Sequence, residues 1–513
     1  MESFERFIIE NEWADTVRLV MSCREWPVPG DQGLAGLDAK SLAVNTIEGR
    51  KRLRKKLPEW VACTEVVYPS SLCAEQCSSS DTARYKASVI HRIIYEYGFS
   101  GASTGSATEN KLVTEPVEVT EEARNNPVTE PVEVTEEARN NPVTEPAEVT
   151  AEARTNPVTE PVEVTAEARD KGRIADLTGG LGVDCWAFSK MAGEVLYNEM
   201  NPELAAAARH NFKALGATNI FIKNQEATTE SLKDILGDFR PDVIFLDPAR
   251  RGSTGKKVFL LEDCSPDVLK MLPELFEASR FVLLKLSPMA DITMAVERLD
   301  RTYEEYLEKA SGQGWNGQWV REVHVVASGG ECKELLILLD REWSGGYSLT
   351  CREDGKTLTF TSQEIAEAKA TLPDSTFARI IFEPGKSLTK AGVSNAICER
   401  FGLVKLARFT HLYTISEPLS ESELEQRIAP LRDFGKVFLV KEILPLTKAS
   451  MKDVGRRYPH SEVSAKNIPM SSDELRARLK VKSGDDAHIF GARIETPYNE
   501  DNYLIVTKII PQQ

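Results

Sequence analysis

The stretch Arg173-Ile174-Ala175-Asp176-Leu177-Thr178-Gly179-Gly180-Leu181-Gly182-Val183-Asp184 decides the reading of this chain. It opens as an apolar run, passes through a glycine-rich turn and continues in an apolar helical pattern. Glycine admits positive φ and lets backbone come close to a ligand. A strand, such a turn and a helix together form a nucleotide-binding crevice at the carboxyl end of a parallel strand. Gly179-Gly180-Leu181-Gly182 is not the G-x-G-x-x-G dinucleotide fingerprint, and no G-x-x-x-x-G-K-[ST] phosphate loop lies nearby. Taken alone, the turn is equally a plain connection between a strand and a helix.

From residue 172 to about 340 strand and helix patterns alternate, which predicts an α/β domain on a parallel sheet. Residues 193–199, 219–222, 242–248 and 280–288 read as further strands, and 202–215 as a helix. Residues 242–248 are apolar enough for burial on both faces. Residues 322–328 and 334–339 face each other across Gly329-Gly330, the spacing of a closing antiparallel pair.

Four features then fall, in order, at the carboxyl ends of successive strands. They are the glycine turn, Glu199, Asp247-Pro248-Ala249-Arg250, and Lys285-Leu286-Ser287-Pro288. An acid after the second strand can accept both hydroxyls of a ribose. Asp176 and Asp184 flank the glycines, where an acid can hold an ammonium group. An anion site would present bare amides at a helix N-terminus instead, so the acids argue for a cationic ligand over a pyrophosphate. Outside this set, Asp247-Pro248 is a strand-ending turn, since both residues favour turns, and Lys285 is an exposed lysine at a strand end.

The combination resembles the class I S-adenosylmethionine-dependent methyltransferases over about residues 172–340. ADLTGGLGVD is similar to their first cofactor motif, YNEMNPEL to the ribose-acid region and FLDPAR to the catalytic loop. The resemblance implies a Rossmann-like domain that binds S-adenosyl-L-methionine through Asp176, Thr178, Gly179, Gly180, Gly182, Asp184, Glu199, Met200 and Asp247. It implies catalytic positions at Asp247, Pro248, Arg250, Lys285 and Ser287, and no metal. A wider set, EQCSSSDTARYKA, DLTGGLGVD, DPARRG, LLEDCSPDVL, KLSPMADI, GGECKELL and HLYT, looks like a bacterial methyltransferase family with a THUMP-like C-terminal domain. THUMP domains are associated with RNA, so that resemblance implies a ribosomal or transfer RNA substrate.

The flanks complete the organisation. Residues 1–98 read as a mostly helical domain, with Phe4, Phe7, Ile8, Trp13, Val17 and Val20 at roughly helical spacing. Arg50-Lys51-Arg52-Leu53-Arg54-Lys55-Lys56 is either a phosphate-holding run or a solvated helix face before Pro58. Residues 75–86 lead into a helix running to about Tyr97 with Ser80 or Asp81 as N-cap; Glu75 to Ser79 are polar enough to face a site. Residues 99–171 are predicted to be a disordered acidic linker. Within it, 112–171 form four copies of a 15-residue unit with 14 Glu and 1 Asp against 4 Arg and 1 Lys, a net charge of -10. Residues 345–513 read as a THUMP-like α+β domain. Its expected strands are at 357–360, 378–382, 436–443 and 502–510, its helices at 390–401 and 472–480.

The chain carries a net charge of -16, but with the repeats set aside only -6 remains, so overall acidity does not exclude an RNA partner. No run of about 18 apolar residues suggests a membrane span, and the N-terminus lacks the pattern of a secretory signal. The nine cysteines show neither C-x-x-C nor zinc spacing, which suits reduced thiols in the cytoplasm. As to the acceptor, the DPAR loop resembles that of uridine C5 methyltransferases, which need a cysteine after the fifth strand. Ser287 stands there, a poor nucleophile without an activating base. An exocyclic nitrogen of an RNA base is the expected acceptor, with a small-molecule methyltransferase and a non-catalytic cofactor- or RNA-binding module as alternatives.

Overall fold

The computed structural model describes residues 3–97, 172–250, 261–312, 314, 317–376, 378–415 and 417–511. The four repeats and the expectation of disorder attached to them lie outside these residues.

The strands of the central region are β1 (Arg173–Asp176), β2 (Glu194–Asn198), β3 (Ile220–Lys223), β4 (Val243–Leu246), the short hairpin β5 (Ala249–Arg250) and β6 (Cys264–Ser265), β7 (Phe281–Leu286), β8 (Val320–Ser328), β9 (Glu331–Asp340), β10 (Ser348–Glu353) and β11 (Lys356–Thr361). Nine of them form one sheet in the order β11-β10-β8-β9-β7-β4-β1-β2-β3. From β3 to β7 all neighbours run parallel. β9 inserts antiparallel between β7 and β8. The β8–β9 connection uses Gly329 and Gly330 at φ 60 and 77, values that favour glycine. The expected closing pair is therefore present.

The sheet runs on past residue 344. β10 pairs parallel with β8 and antiparallel with β11, so residues 348–361, expected to open the C-terminal region, extend the central sheet instead. Their burial explains the placement: Leu349, Cys351 and Phe360 are buried in the same apolar cluster as Val323, Val325 and Leu335.

Strand side chains alternate between two faces. Val243, Phe245, Phe281 and Leu283 point into one apolar cluster, and Ile244, Leu246, Val282, Leu284 and Leu286 into the other. The second face is covered by α9 (Leu232–Leu236), α10 (Val268–Ala278) and α11 (Ile292–Ser311), whose buried Leu232, Leu272, Phe276 and Leu299 share its cluster. The first is covered by α7 (Val183–Ser189), α8 (Pro202–Ala214) and, beside them, the N-terminal helices α3 (Ala39–Leu53), α4 (Pro58–Ala62), α5 (Ser71–Gln76) and α6 (Ser80–Tyr97). Trp60 meets Trp186 edge to face with ring centroids 6.1 Å apart. The N-terminal helices thus share the core of the sheet. α1 (Ser3–Glu10) adds Phe4 and Ile8 to a smaller cluster with Leu42, Ile47 and Ala207 of α8.

Local expectations shift in instructive ways. The N-cap of α6 is Ser79, whose Oγ accepts from the Thr82 amide at 3.2 Å. Asp81 is free for a bidentate pair with Arg352 of β10, both bonds 2.7 Å. The basic run closes on the protein itself. Arg50 and Arg54 pair with Glu12, Lys51 with Glu48 and Arg52 with Glu75, while Lys56 donates to the Glu75 carbonyl.

The C-terminal region forms a second sheet, β13-β14-β12-β15-β18-β17-β16, from β12 (Ile380–Pro384), β13 (Val404–Lys405), β14 (Tyr413–Thr414), β15 (Gly435–Pro445), β16 (His460–Lys466), β17 (Lys482–Glu495) and β18 (Glu500–Ile509). The helix expected at 390–401 is two helices, Lys386–Ala391 and Ser394–Phe401, because Gly392 takes the left-handed conformation at φ 71 and ends the first. This region is joined tightly to the first sheet. Glu353, the last residue of β10, accepts from the amide and hydroxyl of Ser387 at 2.8 and 2.7 Å, and Lys390 donates to the Ala290 carbonyl at 2.6 Å. Among the described residues no helix is long and apolar enough to cross a membrane.

Because the N-terminal helices cover one sheet face, a fragment starting at Gly172 exposes Ile174, Phe188, Phe245 and Phe281. Such a fragment is expected to aggregate on size-exclusion chromatography. A monodisperse, cooperatively melting fragment would show that this packing is dispensable.

Candidate active site

The turn after β1 is fixed by both neighbouring strands. Leu177 donates its amide to Phe245 O at 3.1 Å and Gly179 donates to Asn198 O at 2.7 Å. Thr178 Oγ1 accepts from the Asp247 amide at 2.6 Å, tying the end of β4 to the turn. Gly179 has no room for a side chain, since a Cβ there would lie 2.1 Å from the Tyr197 ring. Gly182, at φ +92, would place one 2.5 Å from Phe212. Only Gly180, at φ +53 with nothing nearer than Thr178 O at 4.0 Å, stands open. Packing requires the first and third glycines; close approach of a ligand concerns the second.

Around this turn lies a cavity of about 820 Å³, within the usual range for small-molecule sites. Asp176, Thr178, Gly179, Gly180, Gly182, Asp184, Glu199, Met200, Asp247, Pro248, Lys285 and Ser287 all line it. Arg250 is not among the lining residues; its backbone lies in β5, next to Ala249, which is. Asp176 is buried and accepts from the Thr178 amide at 3.1 Å. Burial raises its carboxyl well above the usual range, and the charges of Asp184, Asp247 and Glu199 push the same way. Glu199 accepts from the Gly180 amide through Oε2 and from the Asn201 amide through Oε1, both at 2.8 Å. It holds the turn, and each oxygen keeps a lone pair for a further donor. Met200 lies exposed beside it.

On the opposite wall Lys285 contacts Asp247 in a close ion pair. Burial alone would lower the lysine's pKa, but Asp247, Glu334 and Asp184 raise it above the ordinary value, so it is an ammonium at neutral pH. It is mostly enclosed rather than exposed. Ser287 Oγ accepts from the Met289 amide at 3.2 Å, and no histidine or carboxylate activates it among the described residues. Cys264 does not line the cavity. Cys77 does, but burial pushes its thiol up to about 11, which leaves little thiolate at neutral pH.

Gln76, Cys77 and Ser78, within the polar stretch expected to face a site, line the cavity, but the sequence reading missed Lys86 and Glu334 behind them. Ser78 donates to Asp184 Oδ2 at 2.8 Å. Lys86 of α6, with no solvent exposure, donates to Ser78 Oγ at 3.0 Å and to both oxygens of Glu334 at 3.0 and 2.8 Å. Its ammonium also lies 3.2 Å from Asp184. One signal was present: Lys86 falls on the stripe of Ala83, Ala87, Ile90 and Ile93, where a charged residue is out of place. Among the described residues no cluster of His, Cys, Asp or Glu is placed to hold a metal ion.

Residues 435–508 match the THUMP domain-like family, and residues 381–421 a ferredoxin-like domain. Uncharacterized S-adenosylmethionine-dependent methyltransferases from two Mycobacterium tuberculosis strains, CDC 1551 / Oshkosh and H37Rv, are each 23% identical over 332 residues, 63% of this chain and 78% of theirs. This chain is similar to S-adenosylmethionine-dependent methyltransferases and carries a THUMP-like C-terminal region. The solved structure of a candidate methyltransferase from Porphyromonas gingivalis W83 shares its fold, with TM-score 0.68 and 24% identity over 99% of this chain and 97% of that one.

S-adenosyl-L-methionine is the cofactor, and the residues around the cavity fit it. The cavity wall is rich in carboxylates, which suits a cationic donor, and Gly180 leaves open space against the turn. This crowding has a cost in stability. Because the folded-state pKa of Asp176 is raised, the folded protein binds the extra proton, and stability falls as pH rises above the unfolded value near 3.8. Asp176→Asn keeps the acceptor for Thr178 and removes the charge. It is expected to melt higher than wild type at pH 7, with the gap closing as pH falls towards 4. An equal or lower melting temperature at pH 7 would contradict the electrostatic account.

Proposed function

We propose that this methyltransferase acts on a base of ribosomal or transfer RNA, with an exocyclic nitrogen as the acceptor atom, in the cytoplasm. The observation that carries the reading is the charge of the THUMP-like region. Residues 446–482 hold nine lysines and arginines against four acids in a chain of net charge -16. Lys448, Lys452, Arg478, Lys480 and Lys482 are exposed and have no ion-pair partner among the described residues. Lys448, Lys452 and Arg456 recur every fourth residue along the helix Lys448–Arg457, which gives that helix a basic stripe suited to phosphates. All nine cysteines are free thiols, as a reducing compartment favours.

In this reading Asp176 and Asp184 face the donor's ammonium, Glu199 its ribose hydroxyls, and Thr178 and the glycines shape the turn beneath it, with Met200 against the nucleoside. When bound, S-adenosylmethionine supplies a methyl group activated by a sulfonium. Lys285 keeps Asp247 in place, and the carboxylate accepts a hydrogen bond from the acceptor amine. Pro248 and the backbone of Arg250 shape the chain after β4 beside the base. Ser287 accepts from the Met289 amide within the loop after β7 and takes no covalent part. Positioning is the main demand on the protein for such a transfer. A base inside a duplex has to be flipped out to reach the cavity.

Two measurements test this. Mass spectrometry of nucleosides from wild-type and deletion strains is expected to show one methylated base lost on deletion, and an unchanged RNA profile removes the proposal. Reversing the charge of Lys448 and Lys452 is expected to weaken RNA binding and lower the slope of log affinity against log salt by roughly one per lost phosphate contact. Unaltered affinity and slope would place the RNA elsewhere.

A further inference from the structure

Within the cavity wall, Asp184 differs from the other acids in being held by a separate part of the chain. Lys86 has no acceptor of its own, so it must donate to Ser78. The single hydroxyl proton of Ser78 is thereby directed to Asp184 Oδ2, at 2.8 Å. The three ammonium protons of Lys86 are committed to Ser78 and the two oxygens of Glu334. Asp184 Oδ1 receives the charge of Lys86 at 3.2 Å but no hydrogen bond, and it is buried with no other donor. A carboxylate that lines the cavity is therefore oriented from behind, with one enclosed oxygen short of a donor, beside the glycine turn. Such a carboxylate suits a ligand ammonium, whereas a ligand carboxylate would be repelled. Gln76 and Cys77 of the same N-terminal segment also line the cavity.

We propose that Lys86, acting through Ser78 and Asp184, is the positioning residue for the amino-acid end of the methyl donor, and that the N-terminal helical region is by this route a part of the donor site. The inference rests on the reading of Asp184 as the acid that faces the donor's ammonium. The direction of the effect follows from the geometry. Without Lys86, nothing directs the Ser78 hydroxyl proton to Asp184, and Asp184 loses the cation 3.2 Å from its Oδ1, so its carboxylate is no longer held where an ammonium group meets it. Glu334, the more deeply buried of the two acids, is the one that takes up a proton. The nucleoside end, at Glu199 and Met200, is held by other contacts and is untouched.

The test compares two probes that share adenosine and a neutral thioether. S-adenosylhomocysteine carries the amino-acid arm, and 5′-methylthioadenosine lacks it. Calorimetry with the full chain is run on wild type, Lys86→Met, Ser78→Ala and Asp184→Asn, with melting temperatures recorded alongside. Lys86→Met is expected to weaken S-adenosylhomocysteine by about tenfold or more while 5′-methylthioadenosine changes by less than about twofold. Ser78→Ala, a small change that leaves the ion pairs in place, shifts the same ratio in the same direction by a smaller factor and covers the case in which Lys86→Met does not fold. Equal weakening of both probes would mean a merely structural role and overturns the proposal. So does an unchanged ratio in Ser78→Ala. If Asp184→Asn lowers the ratio and the other two variants do not, the inference about Lys86 fails while the reading of Asp184 stands. If Asp184→Asn leaves the ratio unaltered, the reading of Asp184 itself fails.

Discussion

A sheet buried on both faces must be covered on both, and the rest of this structure depends on how that demand is met. Parallel strands such as β1, β4 and β7 carry apolar side chains in both directions. Helices that follow the strands cover one side. On the other, α7 and α8 are too few, and α6 with its neighbours completes the layer. The N-terminal helices are therefore a structural half of the catalytic domain, and their side chains reach the rim of the cavity because the same packing brings them there.

The second constraint is electrostatic. Asp176, Asp184, Glu199, Asp247 and Glu334 lie near one another at or behind the carboxyl ends of the strands. Buried carboxylates of like charge are tolerated only when each is given a partner. The protein uses three different devices. Backbone amides serve Glu199 and Asp176, the ammonium of Lys285 serves Asp247, and the ammonium of Lys86 is shared between Asp184 and Glu334. Removing the cation of Lys86 would leave an uncompensated buried charge at Glu334, a change worth about 3–5 kcal/mol, whereas Asp247 is partly exposed and loses less with Lys285. Asp176 has a backbone amide and no cation beside it, and burial holds its carboxyl well above the ordinary range.

Local pattern made much of this legible. The glycine turn, the order of acids after the strands and the Gly329-Gly330 hairpin are contiguous signals, and the first sheet follows them from β3 to β9. Long-range choices were not legible. Lys86 and Glu334 are 248 residues apart, and neither announces the other. β10 lies where no strand is expected from the sequence, and its parallel pairing with β8 assigns it to the first sheet. The run at 50–56 looked free to bind phosphate because its acids, Glu12, Glu48 and Glu75, are brought to it by the folding of other helices. The glycines were found for an incomplete reason, since the rings of Tyr197 and Phe212 demand two of them.

The join between β10 and the helix Lys386–Ala391 has a mechanical meaning. Glu353 grips the start of that helix, Lys390 grips the loop after β7, and apolar residues of both regions, Leu349 and Phe360 with Leu388 and Ile397, form one cluster. The loop after β7 also lines the cavity through Pro288 and Met289, so the same joint ties the second sheet to the cavity's edge. A load placed on one sheet is carried through these bonds into the other, and the seam between them acts as a brace for the cavity mouth.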